Sequence, residues 1–422
     1  MAEREARGGV LILGGGFAGA WVARLLGKRG CESTIVNHEN FMLFASLLPE
    51  AASGSLEPRH VVVPLRMMCP RSDLLVGRAV RLDTVSQTVQ VETEQELINV
   101  RYDRLVVALG SVARALPIPG LAEHALAFKT LADAIHLRNH VLRRLEAAVA
   151  APTDTARSRE LTFVFVGAGY AGVEALAELR DLVSDAIHFY PTLREEHQRW
   201  ILVDAASNIL PEIPTRLGEY AAAQLVRRGV DIRVGTTIER MEPNLVMLSD
   251  GSRVVTSTLV WTAGVRANPA VAELGLPVDE RRRVVVDDLL RVNGFTNIWA
   301  LGDGTRVPNA STPGRPDPPT SQHALRQARR LARNLTGKPR PYRYRMLGQV
   351  ATLGRHKGIA DVFGLRLRGF PGWFVTRTYH LYQLPLLSRK LRVVADWTIA
   401  LLFRRDIAEL GTLGRPTRIG DA

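Results

Sequence analysis

Thiol chemistry has little to work with in this chain. Only Cys31 and Cys69 are present in 422 residues, and they form no CxxC or CxxxxC pair. That spacing argues against a dithiol relay of the disulfide-reductase kind. Each cysteine reads as a small core or loop residue, and nothing argues for a bridge between them. Long apolar runs are also missing, so no segment reaches the length that spans a bilayer. The N-terminal stretch from Met1 to Gly9 is polar and lacks the apolar core of a signal peptide. The expectation is a cytoplasmic chain whose membrane contact, if any, is peripheral. No nucleic-acid-binding module is visible, so no nucleic acid partner is expected, and no metal site is expected. What stands out is a formal net charge of +13, which suits anionic partners such as a membrane surface.

Glycine is well supplied, and it is placed with purpose. The stretch Gly14-Gly15-Gly16-Phe17-Ala18-Gly19 follows the apolar run Val10 to Leu13 and precedes a helical pattern from Ala20 to Leu26. Strand, glycine turn and helix in that order make a phosphate cradle. Gly14 permits the tight turn, Gly16 lets backbone approach a pyrophosphate, and Gly19 lets helix and strand pack closely. A second copy runs from Leu161-Thr162-Phe163-Val164-Phe165-Val166 through Gly167-Ala168-Gly169-Tyr170-Ala171-Gly172 into Val173 to Leu179. Two copies predict two nucleotide sites, one for a flavin and one for a nicotinamide.

The strand that follows each turn should end in an acid that accepts from the adenosine ribose. After the first, Ser33 to Val36, the residue is Asn37, with Glu39 nearby. Asn37 can bond a ribose hydroxyl, without charge assistance. After the second, Trp200 to Val203, it is Asp204. Asp204 should repel a 2′-phosphate, so NADH is favoured over NADPH. Each domain also has a closing small-residue turn: Ala108-Leu109-Gly110-Ser111 in the first, Thr262-Ala263-Gly264 in the second. Gly302-Asp303 ends the apolar strand Asn297 to Leu301, where Asp303 either bonds a flavin's ribityl hydroxyl or makes an Asx-turn. A basic helix over Thr320 to Ala332, carrying Gln322, follows a proline-rich loop and could aim its N-terminus at the flavin ring. Phe41 to Gly54 reads as an apolar loop opening a small-residue helix, a wall for a flavin ring or simply a packed loop. Asp73 to Val100 suggests an antiparallel meander, Ala151 to Glu160 a polar loop, and Asp181 to Arg199 a helical insertion.

Together these residues resemble the two-dinucleotide-domain flavoprotein reductases, and within them the type II NADH dehydrogenases, the non-proton-pumping NADH:quinone oxidoreductases. The resemblance runs nearly end to end. It rests on both glycine turns, the Phe44 to Gly54 loop, Tyr102-Asp103 with Ala108 to Ser111, Trp261-Thr262-Ala263-Gly264-Val265, Leu301-Gly302-Asp303 and Gln322 with Ala324. It implies an α/β fold of two Rossmann-like domains plus a C-terminal amphipathic membrane-docking region. The implied boundaries are 1–118 and 269–340 for the FAD domain, 119–268 for the NADH domain, and 341–422 for membrane association or dimerisation. The resemblance further implies that Glu174 lies near the contact of nicotinamide with flavin and that Gln322 lies beside flavin and quinone. Cofactor-binding residues expected from motif and resemblance are Gly14, Gly16, Phe17, Ala18, Gly19, Asn37, Ala108, Gly110, Gly302 and Asp303 for FAD. Those for NADH are Gly167, Gly169, Gly172, Asp204 and Gly264. Two departures are visible: Asn37 replaces the usual acid, and Arg326 stands where the family carries a second Gln, with Gln327 one place later.

From Pro371 to Asp406 aromatic and aliphatic residues alternate with Arg377, His380, Arg389, Lys390 and Arg392. This pattern suits helices lying in a membrane interface, or a hydrophobic dimer interface. The expectation is a respiratory-chain oxidoreductase passing hydride from NADH to FAD and electrons to a membrane quinone. It would work as a homodimer bound peripherally to an anionic surface at the cytoplasmic face of the cell membrane. Two alternatives stay open: a soluble NADH-dependent reductase of a protein carrier such as ferredoxin, and a non-catalytic NADH-binding sensor.

Overall fold

The computed structural model describes residues 2–309, 311–346 and 348–409. Residues 410–422 of the expected C-terminal region lie outside the described residues. The elements that carry the argument are, in chain order, strand β1 (Val10–Leu13), helix α1 (Phe17–Gly27), and strands β2 (Ser33–Asn37), β3 (Ser72–Val76), β4 (Arg104–Val107) and β5 (Thr162–Val166). Helix α2 (Tyr170–Ala186) follows, then strands β6 (Arg199–Asp204), β7 (Val230–Val234), β8 (Thr258–Trp261) and β9 (Ile298–Ala300). Last come helix α3 (Ser321–Thr336), strand β10 (Gly348–Thr352) and helices α4 (Phe370–Gln383) and α5 (Leu387–Leu402).

The chain divides into two units, the first made of 1–44, 62–112 and 265–346, the second of 45–61, 113–264 and 347–422. In the first, five parallel strands run in the order β9-β4-β1-β2-β3. Strand β1 and Leu105 to Val107 of β4 carry buried apolar side chains on both faces, as a parallel sheet covered by helices requires. Every residue of β1 is fully buried. In the second unit the order is Leu126–Ala127, β8, β5, β6, β7, again all parallel. Closing strand, opening strand, second strand and third strand therefore stand in the same order twice.

Registers match as well. Leu13 faces Val107 in the first sheet, and Val166 faces Trp261 in the second. Each opening glycine turn thus sits next to its closing turn at the carboxyl ends of the strands, where open α/β sheets bind ligands.

Three local expectations are corrected. Ser72–Val76 does not belong to the antiparallel meander but pairs in parallel with β2. Its apolar centre, Leu74 and Leu75, is buried like a sheet strand. The meander itself is Arg78–Asp83, Thr88–Glu92 and Leu97–Arg101. Residues Asp154–Glu160 form a helix rather than a polar loop, because the Thr153 hydroxyl caps it by accepting from the Ala156 N–H at 3.2 Å. The insertion after Asp181 is helical only to Ala186. Two short 3₁₀ turns, Ile187–Phe189 and Pro191–Leu193, follow, and Pro191 cannot continue a helix.

The second glycine turn leaves contrasting room at its two ends. A Cβ on Gly172 would lie 1.8 Å from the Gly167 carbonyl oxygen, whereas one on Gly169 would meet nothing within 4 Å. Gly172→Ala should therefore destabilise the protein by about 3 kcal/mol. Gly169→Ala should change stability by no more than about 0.5 kcal/mol. Denaturant unfolding of the two variants against the parent checks the contrast.

Candidate functional site

Both turns are built by the same contacts. Gly14 has φ +106° and Gly167 φ +107°, conformations open to glycine at little cost. A Cβ on Gly14 would lie 2.2 Å from the Ala108 carbonyl oxygen, and one on Gly19 would lie 1.9 Å from that of Gly14. In the second unit Gly167 presses on Thr262 and Ala263 in the same way. Gly16 and Gly169 are exposed N-caps, and neither helix receives a side-chain cap. The first N–H groups of α1 and α2 therefore point into open space, as a pyrophosphate site needs. The residues present fit a dinucleotide in each unit.

The residues at the ends of the second strands have parallel duties. Asn37 Oδ1 accepts from the Gly15 N–H at 2.8 Å, and its amide donates to the Glu39 carbonyl at 2.7 Å. Asp204 accepts from the Ala168 N–H at 2.5 Å and, with its other oxygen, from the Ala206 N–H at 2.7 Å. Gly15 and Ala168 are the same station in the two turns. Each side chain thus fastens its glycine loop to the neighbouring strand, and an amide serves this purpose as well as an acid.

Ala108, Gly110, Gly302 and Asp303 form the closing turns of the first unit. Ala108 is buried beside Gly14, and Gly110, at φ +68°, has open space where a Cβ would be. Gly302 takes φ +83°, with Ala18 the nearest neighbour to its missing side chain. Asp303 accepts from the Ser111 hydroxyl at 2.7 Å, tying one turn to the other. Phe17 packs on Phe44 with ring centroids 5.3 Å apart. Gln322 Oε1 accepts from the Tyr344 hydroxyl at 3.3 Å, and Arg326 stacks over the same ring at 5.3 Å. In the second unit Gly264 has φ +88° and an open side, matching Gly110.

Glu174 is not a solvated carboxylate. It is 8% exposed and accepts from the Thr352 N–H of β10 at 2.8 Å and from the Thr352 hydroxyl at 3.3 Å. Burial pushes its carboxyl up to about 8, the Thr352 donors pull against that, and neighbouring Glu50 and Glu178 add to the rise. Burial also raises Glu50, against the pull of Arg377. Glu50 accepts from Arg377 at 2.8 Å and from the Trp397 indole at 2.6 Å. Glu178 accepts from Arg405 at 2.7 Å and from the Ser53 hydroxyl at 3.0 Å. Sequence reasoning missed this cluster of three buried acids. The signal available was three glutamates among small apolar residues, with arginines spaced through the last 50 residues.

A family model described as pyridine nucleotide-disulphide oxidoreductase matches residues 8–328. The chain belongs to this family. Its membership does not bring a dithiol. Both cysteines of this pyridine nucleotide oxidoreductase are free, and burial pushes the Cys69 thiol up to about 12. Among its relatives, a probable NADH dehydrogenase of Dictyostelium discoideum is 29% identical, the match covering 97% of this chain and 94% of the relative. The type II NADH:quinone oxidoreductase Ndh of Mycobacterium tuberculosis is 27% identical over 96% of this chain and 90% of its own. The demethylphylloquinone reductase NdbB of a Synechocystis species is 30% identical over 93% and 96%. In fold the chain is similar to NDH2 of Plasmodium falciparum, with TM-score 0.88, 17% identity, and coverage of 96% of this chain and 99% of that one.

The Glu174 carboxyl binds its proton more tightly in the folded protein than an unfolded chain would, so folding takes up a proton between about pH 5 and 8. Its contribution is full below that window and is lost as pH rises through about 8. Glu174→Gln keeps an acceptor for Thr352 without the ionisation. Its stability should vary less with pH across this window and exceed the parent's at pH 8, as measured by denaturant unfolding at several pH values.

Proposed function

We propose that the chain is a flavin-dependent NADH:quinone oxidoreductase of the type II, non-proton-pumping kind, with FAD held by the first unit and NADH by the second. The observation that carries this reading is the length of the likeness. Relatives named as NADH dehydrogenases or quinone reductases align over more than nine-tenths of this chain. Two uncapped, glycine-lined helix starts support it independently.

A flavin held by the first unit would supply the redox chemistry, as acceptor of hydride from NADH and donor of electrons to a quinone. The chain's residues bind and orient. The Gly14 to Gly19 turn and α1 hold one pyrophosphate, and the Gly167 to Gly172 turn and α2 hold the other. Asp204 sets its negative charge at the adenosine ribose and disfavours a 2′-phosphate, so NADH is the reductant. Asp303 would take the ribityl chain, and Gln322 would lie beside the flavin and quinone. Glu174, kept protonated near neutral pH by its surroundings, stands ready to hold or release a proton during turnover. No thiol takes part.

The decisive test is anaerobic. NADH, and not NADPH, should bleach the oxidised flavin spectrum rapidly, and a short-chain quinone should restore it. Bleaching without recovery on quinone would favour a protein carrier as acceptor. A flavin that NADH does not bleach would favour a sensor.

The same proposal places the enzyme as a homodimer on an anionic membrane surface at the cytoplasmic face. Among the described residues no helix is long and apolar enough to cross a membrane. Helices α4 and α5 bury Trp373, Val393 and Trp397, yet leave Phe374, Tyr382, Leu391 and Leu402 more than half exposed. Arg389, Lys390 and Arg392 stand in the same sequence. Apolar side chains with basic neighbours suit the interface of an anionic bilayer. The protein should float with vesicles containing anionic lipid. The triple variant Phe374→Ser, Leu391→Ser, Leu402→Ser should lose most of that binding while still being bleached by NADH. If the triple variant instead binds vesicles normally but sediments as a monomer, the patch is the dimer interface.

A further inference from the structure

One buried polar link in the first unit serves none of the contacts described so far. Gln327 of α3 is 2% exposed, and both ends of its amide are engaged. Its Oε1 accepts from the Gly302 N–H at 2.8 Å, and its Nε2 donates to Asp317 Oδ2 at 2.9 Å. Asp317 is itself 7% exposed, and its other oxygen accepts from the Asn309 amide at 2.8 Å. The chemistry fixes the direction of this link. A backbone N–H only donates and a carboxylate only accepts, so the amide between them has a single satisfied orientation.

The link ends at the Gly302-Asp303 turn. Gly302 adopts φ +83°, and a Cβ there would come within 3.1 Å of Ala18, at the start of α1. With its N–H taken by Gln327 the turn is held in its observed setting. That setting presents the Asp303 carboxylate to Ser111 at 2.7 Å. Among the described residues, the next two N–H groups, of Asp303 and Gly304, donate to no protein acceptor. Two free donors and a carboxylate beside an uncapped helix start are what the phosphate and ribityl parts of a flavin would engage.

We infer that Gln327, oriented by the buried Asp317, is a positioning residue for the flavin, holding the Gly302-Asp303 turn in the setting that grips it. The inference rests on the reading of the first unit as the FAD site. Gln327 touches no part of the cofactor in this scheme and acts through the backbone of Gly302. Arg326, one residue earlier, points its guanidinium at the Tyr344 ring instead, so the link belongs to Gln327 alone on this turn of the helix.

Gln327→Leu removes the link, and Leu331→Ala, a buried position on the same helix, removes packing without touching it. Released flavin is measured by fluorescence after dialysis, beside thermal unfolding and the visible flavin spectrum. Gln327→Leu should raise the FAD dissociation constant about tenfold, the loss of a buried hydrogen bond to a backbone donor. Leu331→Ala should lower the melting temperature at least as far, yet leave FAD affinity within about twofold. Gln327→Glu gives a sign that a merely structural role would not. It sets a second carboxylate against Asp317, among His323, whose Nε2 lies 3.6 Å from Asp317 Oδ1, Tyr342, Tyr344 and the cation Arg326. Its FAD affinity should fall as pH rises from 5 to 8 and recover on return, while the parent's stays flat. A folded Gln327→Leu that holds FAD like the parent would overturn the inference alone. So would a flat pH profile for Gln327→Glu, which decides the matter if the leucine variant does not fold. A parent protein that takes up no FAD would overturn the flavin reading and this inference together.

Discussion

Everything in both units hangs on how closely two backbone segments approach at the mouth of each sheet. The carbonyl of the first glycine lies where the side chain of the third would be, and the first glycine itself lies against the closing turn. This contact holds helix to strand and aims the helix start outward. It admits no methyl group. The middle glycine, two residues after the first, is free of any such contact, and it is the one exposed. Steric necessity and ligand space thus fall on different glycines of one motif.

Once the loop is closed this way, something must keep it closed. Asn37 and Asp204 do so from the ends of the neighbouring strands, each accepting a backbone N–H from the residue after the first glycine. The departure at Asn37 is then less of an anomaly than it looks. The structural duty of that position needs an acceptor, and the amide oxygen supplies one. Only the second unit adds a charge there, and Asp204 spreads it over two backbone donors, Ala168 and Ala206.

Much of this was legible beforehand, because glycine turns, strand periodicity and closing turns are local. Val10 to Gly19 and Leu161 to Gly172 carry strand, turn and helix within a dozen residues each, and the structure builds them as read. Ser72–Val76 was assigned to the wrong sheet because its pattern fits either, and its partner β2 lies far back in the chain. The polar stretch before Glu160 hid a helix because one capping threonine outweighs composition. Gln327 stood out only as a glutamine one place beyond the family's second Gln, and Asp317 carried no signal. Nothing in a basic helix or a proline-rich loop says that two of their side chains meet behind a turn. Glu174 was recognised by resemblance, but its burial and its tie to Thr352 depend on a strand 178 residues away.

The buried acids of the second unit bear on how the protein is made. Glu50 is satisfied by Arg377, 327 residues later, and Glu178 by Arg405, 227 residues later. Both carboxylates sit in the interior, where an unpartnered charge is costly. During synthesis they emerge long before the guanidinium groups that neutralise them. The charges of these glutamates are met only where Arg377 and Arg405 pack against them. The interior around α2 is therefore completed by side chains that lie more than 200 residues further along the chain.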